Sequence, residues 1–268
     1  MTLAGALRNA RRRARLTQRD VARHMGVVHT TIGRWENGES APDADDVSKL
    51  LTFLGVTGEE LDDIIALATD TGEDAWPGVS QQLAGLLRCE RAAKQITNWE
   101  PLVVPAMLQT SEYARAILGS GTLTPAEIDT LVTVRMGRRD AFMRLDAPQA
   151  AFLVAEPVIH GGIGGPRVMA GQLRRLLDLG KLDPVTIRLV PMDGEWHPGF
   201  AGSFHCYRFN YDRTVVHIEH HRAGLFVVDD DDVAAYELAT DTIRRVAMSP
   251  EESAERIAEV LTTLENRL

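Results

Sequence analysis

Val21, Ala22 and Met25 form one apolar stripe at helical spacing, and Ile32 and Trp35, three apart, begin a second one shortly after it. The first stripe predicts a helix over about 18–25, opened by Thr17 as N-cap with Asp20 three residues on as capping-box partner. The second predicts a helix over about 28–37, closed by Asn37-Gly38. Gly26 stands where the chain must leave the first helix in a left-handed conformation, and Val27 follows as the buried residue of the turn. Pro42-Asp43 opens a fourth helix carrying Val47, Leu50, Leu51 and Leu54. Thr57-Gly58-Glu59-Glu60 reads as the capping box of a fifth, with Leu61, Ile64, Ile65 and Leu67 as its apolar face. Residues 1–69 are therefore expected to form an all-α domain of five helices.

Residues 70–79 are acidic and broken by Pro77-Gly78, a composition that suits a linker. Beyond it, residues 80–268 alternate between two kinds of pattern. Helices are expected over about 80–97, 111–119, 125–145, 166–180, 230–247 and 250–266. The third opens on Thr124-Pro125-Ala126-Glu127, which combines an N-cap, a first-turn proline and a capping-box acid. Strands are expected at Ala151–Ala155, Val185–Val190, Ser203–Phe209, Val215–Glu219 and Leu225–Val228, where β-branched and aromatic residues concentrate. Residues 210–213 read as a hairpin connection. The expected second domain is α+β, with a small, mostly antiparallel sheet flanked by helices.

Charge sharpens this division. Residues 1–41 hold eight arginines against Asp20, Glu36 and Glu39, a net of +5 in a chain whose formal net charge is −9, so the remainder carries −14. Positive charge gathered at one end of an acidic chain localises attraction to a polyanion there. Cys89 and Cys206 are isolated, with no zinc-ribbon or disulfide-framework spacing, which fits a reducing cytoplasm. No run of eighteen apolar residues exists to span a membrane, and no apolar stretch follows Arg11-Arg12-Arg13 as in an export signal. A cytoplasmic protein is the expectation.

Two short helices joined by a tight turn at Gly26 are the layout of a helix-turn-helix that docks in double-stranded DNA. With Ile32 and Trp35 facing inward, the second helix presents His29, Thr30, Gly33 and Arg34 on its other side. Arg34 is the leading candidate for a base contact, because a guanidinium can donate two hydrogen bonds to guanine O6 and N7. His29 and Thr30 lie one turn earlier, at the end that enters the groove. Gln18 is placed to hold a phosphate or reach the nearest base, while Thr17, Thr31, Arg11 and Arg12 are candidate phosphate contacts.

From Leu3 to about Ala68 the chain resembles the phage-repressor and Cro type of helix-turn-helix, the XRE family. The residues that carry the likeness are Thr17-Gln18, Val21-Ala22, Gly26-Val27, Ile32, Arg34-Trp35-Glu36-Asn37-Gly38 and Pro42. Val28 stands where that family has a serine or threonine to cap the recognition helix, so the helix start is expected to fray or be capped differently. A second likeness covers about residues 80–266. Its motifs are Trp99-Glu100-Pro101-Leu102-Val103-Val104-Pro105-Ala106-Met107-Leu108-Gln109-Thr110, then Tyr113-Ala114-Arg115, Gly165-Pro166, Val190-Pro191 and Ser249-Pro250-Glu251-Glu252-Ser253. They resemble an actinobacterial family of WhiJ-like, antitoxin-like transcriptional regulators. Ala106 departs from the glycine usual there. The resemblance implies a partner-binding or signal-sensing domain, with a small BldB-like protein as the partner.

Other chemistry is thinly represented. His217, Glu219 and His221 alternate onto one face of a strand, with His205 on the neighbouring one. Residues four apart in a strand are about 13 Å apart, too far for one ion, so no metal site is expected. Gly161-Gly162-Ile163-Gly164-Gly165 lacks the lysine and hydroxyl of a phosphate loop and reads as a turn or a ligand-covering loop. Asp229–Asp232 suits a solvated helix N-terminus or a dock for a basic partner. No nucleophile, base and orienting acid stand in a hydrolase pattern, and no cofactor is implied. The sequence reads as a DNA-binding transcriptional regulator, a homodimer on a near-palindromic operator, whose second domain senses a small protein partner or a small-molecule effector. The alternative is a DNA-tethered enzyme with its active site in the second domain.

Overall fold

The computed structural model describes residues 3–38, 40, 42–58, 61, 64, 81–144, 146–194, 196–210, 214–220 and 223–268. The chain divides into two compact units, Met1–Pro77 and Gly78–Leu268. The division falls inside the acidic stretch 70–79, which itself lies outside the described residues, as do the capping-box acids Glu59 and Glu60 and most of the hairpin connection 210–213.

The amino-terminal unit is helical: α1 (Leu3–Arg13), α2 (Gln18–Met25), α3 (His29–Asn37) and α4 (Ala44–Phe53). Of the fifth expected helix only Leu61 and Ile64 are described, and both are helical. Leu7, Val21, Ile32, Trp35, Leu50, Leu51 and Ile64 close a single core. Every residue of the two stripes read from the sequence packs on or within it, Met25 at its margin.

The carboxy-terminal unit is α+β. Its helices are α5 (Gln81–Ala92), α6 (Ser111–Leu118), α7 (Pro125–Arg138), α8 (Pro166–Leu179), α9 (Asp230–Val246) and α10 (Pro250–Glu265). Six strands, β1 (Gln95–Glu100), β2 (Gln149–Ala155), β3 (Val185–Val190), β4 (Phe204–Arg208), β5 (Thr214–His220) and β6 (Ala223–Val227), form one sheet in the order β3-β2-β1-β4-β5-β6. β1, β2 and β3 are parallel to one another, and the remaining pairings are antiparallel. The sheet is thus mixed, a parallel half of βα crossovers joined through β1 to an antiparallel meander.

Two expectations need correction here. The helix expected over 80–97 stops at Ala92, and Gln95–Glu100 is a strand. Gln95, Thr97 and Trp99 face one way and Ile96, Asn98 and Glu100 the other, but polar residues fall on both faces, so alternation is invisible in the sequence. Its strand state comes from pairing on both sides, with β2 and β4. The helix expected over 125–145 ends at Arg138 and continues as a tighter 3₁₀ turn over Arg139–Met143.

The Gly161–Gly165 run is a turn that starts α8. Gly164 and Gly165 take φ of 73° and 85°, and a Cβ on Gly164 would sit 2.7 Å from Val168. A left-handed conformation and a steric limit account for these glycines.

Candidate nucleic-acid interface

The helix-turn-helix is built by local chemistry. Thr17 Oγ1 accepts from Asp20 N–H at 3.2 Å while Asp20 Oδ2 accepts from Thr17 N–H at 3.0 Å, a complete capping box at the start of α2. The same hydroxyl donates to Asp20 Oδ2 at 2.6 Å, and these bonds hold the Asp20 carboxyl below its usual pKa. Thr17 is therefore committed to the cap. Gly26 ends α2 with φ 69° and passes the chain to α3. At the start of α3, Val28 takes the N-cap conformation and supplies no side-chain hydrogen bond.

One face of α3 is inside and the other is bare. Ile32 and Trp35 are buried, whereas His29, Thr30 and Arg34 are exposed and Thr31 is half-buried. Arg34's guanidinium makes no ion pair among the described residues, so its donors remain available. The structure thus brings His29, Thr30 and Arg34 onto one outward surface, with Gln18 beside it: the Gln18 amide oxygen lies 3.6 Å from where a Cβ on Gly33 would be.

The residue that organises this surface is Glu36, which composition and spacing did not single out. It is 4% exposed. Its carboxylate receives Arg11 Nε at 2.6 Å and Arg11 Nη2 at 2.7 Å, and Gln18 Nε2 at 2.9 Å. Arg8 Nη2 reaches the Glu36 carbonyl and Asn37 Oδ1, both at 2.7 Å. One buried acid therefore ties α1 and the start of α2 to the end of α3. Its position four residues after Ile32, on the inward stripe, was the available signal.

This arrangement revises part of the candidate set. Arg11 was expected to touch phosphate, but its guanidinium faces inward, bidentate on Glu36 and donating to the Leu16 carbonyl at 2.9 Å. A buried carboxylate outcompetes a solvated phosphate for a fork already desolvated beside it. Arg12 is exposed at the end of α1. Gln18 keeps one amide N–H and its oxygen beyond the bond to Glu36, so it is a positioned polar group and not a free one.

The carboxy-terminal unit carries a polar cluster of its own, on the sheet face beneath α5 and α7. Glu90 and Arg138 form a buried bidentate pair. Arg138's charge reaches His205, His217 and Glu100, which lie on β4, β5 and β1. Asn98, His205, His217 and Tyr207 are buried on this face, in register across β1, β4 and β5. Burial, followed by the neighbouring Glu219 charge, pushes the Glu100 carboxyl up to about 8. Burial together with Arg138 and His217 pulls the His205 imidazole down to about 3. His205 and His217 ring centroids are 5.9 Å apart, and no group of three His, Cys, Asp or Glu side chains in a metal-holding arrangement is found among the described residues. His221 lies outside them.

The string from Trp99 to Tyr113 is architectural. Trp99 Nε1 donates to the Gly199 carbonyl at 2.9 Å, where a Cβ would strike both Trp99 and His197. Gln109 Nε2 donates to the Val104 carbonyl at 2.7 Å, its oxygen accepts from Arg135, and Val104 N–H donates to the Tyr113 hydroxyl. Ala106 opens the 3₁₀ turn Ala106–Leu108. No helix among the described residues is long and apolar enough to cross a membrane.

Comparison with known proteins agrees with this division. Residues 2–64 match the family model described as "Helix-turn-helix domain", so the amino-terminal unit is that of a DNA-binding regulator. Residues 83–259 match the model described as "Domain of unknown function (DUF5753)". No curated protein and no solved structure matches the chain significantly. A match over most of the chain's length, on a unit with its own core and sheet, places this protein in the DUF5753 family, with a helix-turn-helix domain in front of it.

Proposed function

We propose that the protein is a sequence-specific transcriptional regulator that binds a near-palindromic operator as a homodimer, with α3 in the major groove. The observation that carries this reading is the bare face of α3: Arg34, His29 and Thr30 point outward while Glu36, Ile32 and Trp35 fix the opposite side. In this reading Arg34 reads a base, His29 and Thr30 contact the groove at the helix start, and Gln18, Thr31 and Arg12 hold phosphates. Two copies are required because one such module spans only a half-site.

The carboxy-terminal unit is assigned the receiving role. It would take a small partner protein of the BldB-like kind or a small-molecule effector and pass the result to the DNA-binding unit. We assign it no catalytic activity. Selection of bound fragments from genomic DNA, followed by footprinting, supplies the operator. Arg34→Ala is expected to weaken operator binding by roughly 5- to 150-fold, the equivalent of about 1–3 kcal/mol for one bidentate base contact, and to relax the preference at one position of each half-site. An unchanged operator affinity for that variant, or wild-type protein that protects no sequence, refutes the assignment.

A further inference from the structure

The polar face of the sheet beneath α5 and α7 carries a row of side chains that DNA binding does not use. Asn98, His205 and His217 stand directly opposite one another across β1, β4 and β5, and Phe226 of β6 ends the row. Tyr207 lies two residues along β4 from His205, on the same face, and the two rings are parallel to within 2° with centroids 6.1 Å apart. His205, Tyr207 and His217 are each at most 4% exposed. Yet the Tyr207 hydroxyl and the Nδ1 atoms of His205 and His217 have no hydrogen-bond partner among the described residues. The large majority of buried side-chain polar atoms are paired, so three unpaired ones on a single patch point to a bound molecule that completes them.

Burial falls off toward one end of this row. Glu100 and Glu219 follow Asn98 and His217 by two residues on the same face, and the Glu100 side chain is 14% exposed while Glu219 is exposed. Arg135 of α7, half-buried and donating to Gln109 Oε1, is close enough to act electrostatically on both acids. The rim therefore holds charge of both signs. The interior holds no net charge: Arg138 is paired with Glu90, and burial favours the neutral forms of the His205 and His217 imidazoles and the Tyr207 phenol. A charged guest would give up its hydration there with no counter-charge to meet it. A phenol and a neutral imidazole can each donate or accept, so an uncharged guest with both kinds of group suits them. Two strand spacings of about 4.8 Å make the row roughly 10 Å long, the span of one substituted ring.

We propose that the His205, Tyr207 and His217 row is the effector site of the carboxy-terminal unit, entered past Glu219 and Arg135, and that it takes an uncharged, ring-sized molecule bearing hydrogen-bond donors and acceptors, the chemistry shared by nucleobases and sugars. The inference rests on the receiving role given to this unit and supplies its site and the class of its ligand. The bound molecule meets the Tyr207 hydroxyl and the two Nδ1 atoms, and the rings of His205, Tyr207 and Phe226 give it apolar faces to lie against.

The test uses the full-length protein in scanning calorimetry, following the transition of the carboxy-terminal unit with uracil or glucose at millimolar concentration and with orotate and gluconate as their charged counterparts. Uracil or glucose is expected to raise that transition, whichever does so naming the source of the ligand, and the charged pair is expected to leave it unmoved. Tyr207→Phe is expected to weaken binding of the active probe at least tenfold while its ligand-free melting temperature equals or exceeds that of the wild type, because the atom removed has no partner to lose. A hydroxyl with a purely structural role would instead lower the ligand-free melting temperature. No shift with either uncharged probe, equal shifts with the charged ones, or wild-type probe affinity in Tyr207→Phe overturns the site, and leaves a partner protein as the signal the unit receives. Tyr207-dependent binding that leaves operator affinity unchanged supports the site and overturns the receiving role.

Discussion

Replacing Glu36 with alanine tests whether the recognition helix is held by one buried acid. In the wild type the carboxylate is 2% exposed and the Arg11 side chain 14% exposed. Removing the acid leaves Arg11 desolvated with only the Leu16 carbonyl as acceptor, and frees the Gln18 amide. Breaking a buried pair by deleting one partner costs about 3–5 kcal/mol, because the surviving charge stays out of water without compensation. A unit of this size has only about 4–12 kcal/mol of total stability. At about 4–8 °C per kcal/mol for a domain this small, a 3 kcal/mol loss lowers its melting temperature by roughly 12–24 °C. Scanning calorimetry of the full chain reads this out, with the transition of the carboxy-terminal unit as internal reference. The double variant Arg11→Met with Glu36→Leu removes both charges and is expected to recover most of the loss, since replacing a buried pair by packed apolar residues is close to neutral. A Glu36→Ala shift smaller than about 4 °C, or a double variant no more stable than the single one, refutes the reasoning.

Two further outcomes follow from particular groups. Val28, 66% exposed at the start of α3, provides no cap, so Val28→Ser is expected to stabilise the amino-terminal unit by about 1 kcal/mol, measured as a rise in its urea midpoint. In the carboxy-terminal unit Glu100 titrates at about 8 instead of 4.5, so between those values the unfolded chain releases a proton that the folded chain retains, and stability falls with rising pH by up to about 1.4 kcal/mol per unit. His205 titrates at about 3 instead of 6.5, so stability is lost as pH falls through that window. The two slopes cancel between about 4.5 and 6.5, which predicts a plateau there in urea midpoints measured against pH, and Glu100→Gln is expected to flatten the alkaline limb and to turn the plateau into a rise with pH.

The elements that were legible in advance are those written in short stretches of chain. Thr17 with Asp20, Thr124 with Glu127, and Ser249 with Glu252 each close a capping box within four residues, and α2, α7 and α10 start where those residues stand. Gly26 and Gly38 end α2 and α3 at φ 69° and 74°, a conformation that marks itself by residue type. The exposed face of α3 was equally readable, because inward Ile32 and Trp35 fix which way Arg34 and Thr30 point. Arg11 was misplaced for the opposite reason: an arginine on an amphipathic helix looks the same whether it faces solvent or a buried carboxylate twenty-five residues away.

By itself, then, the sequence determined the two units, the helix-turn-helix and the class of polymer it meets, since capping, helical periodicity and charge asymmetry act over a few residues or over whole segments. Only the tertiary structure decided that Gln95–Glu100 is a central strand, that Glu36 gathers Arg11 and Gln18, and that the β3 edge of the sheet is closed by Ser253 and Met248. Each of these depends on partners far along the chain, and a strand or a buried charge takes its meaning from what lies across from it, which no local pattern records.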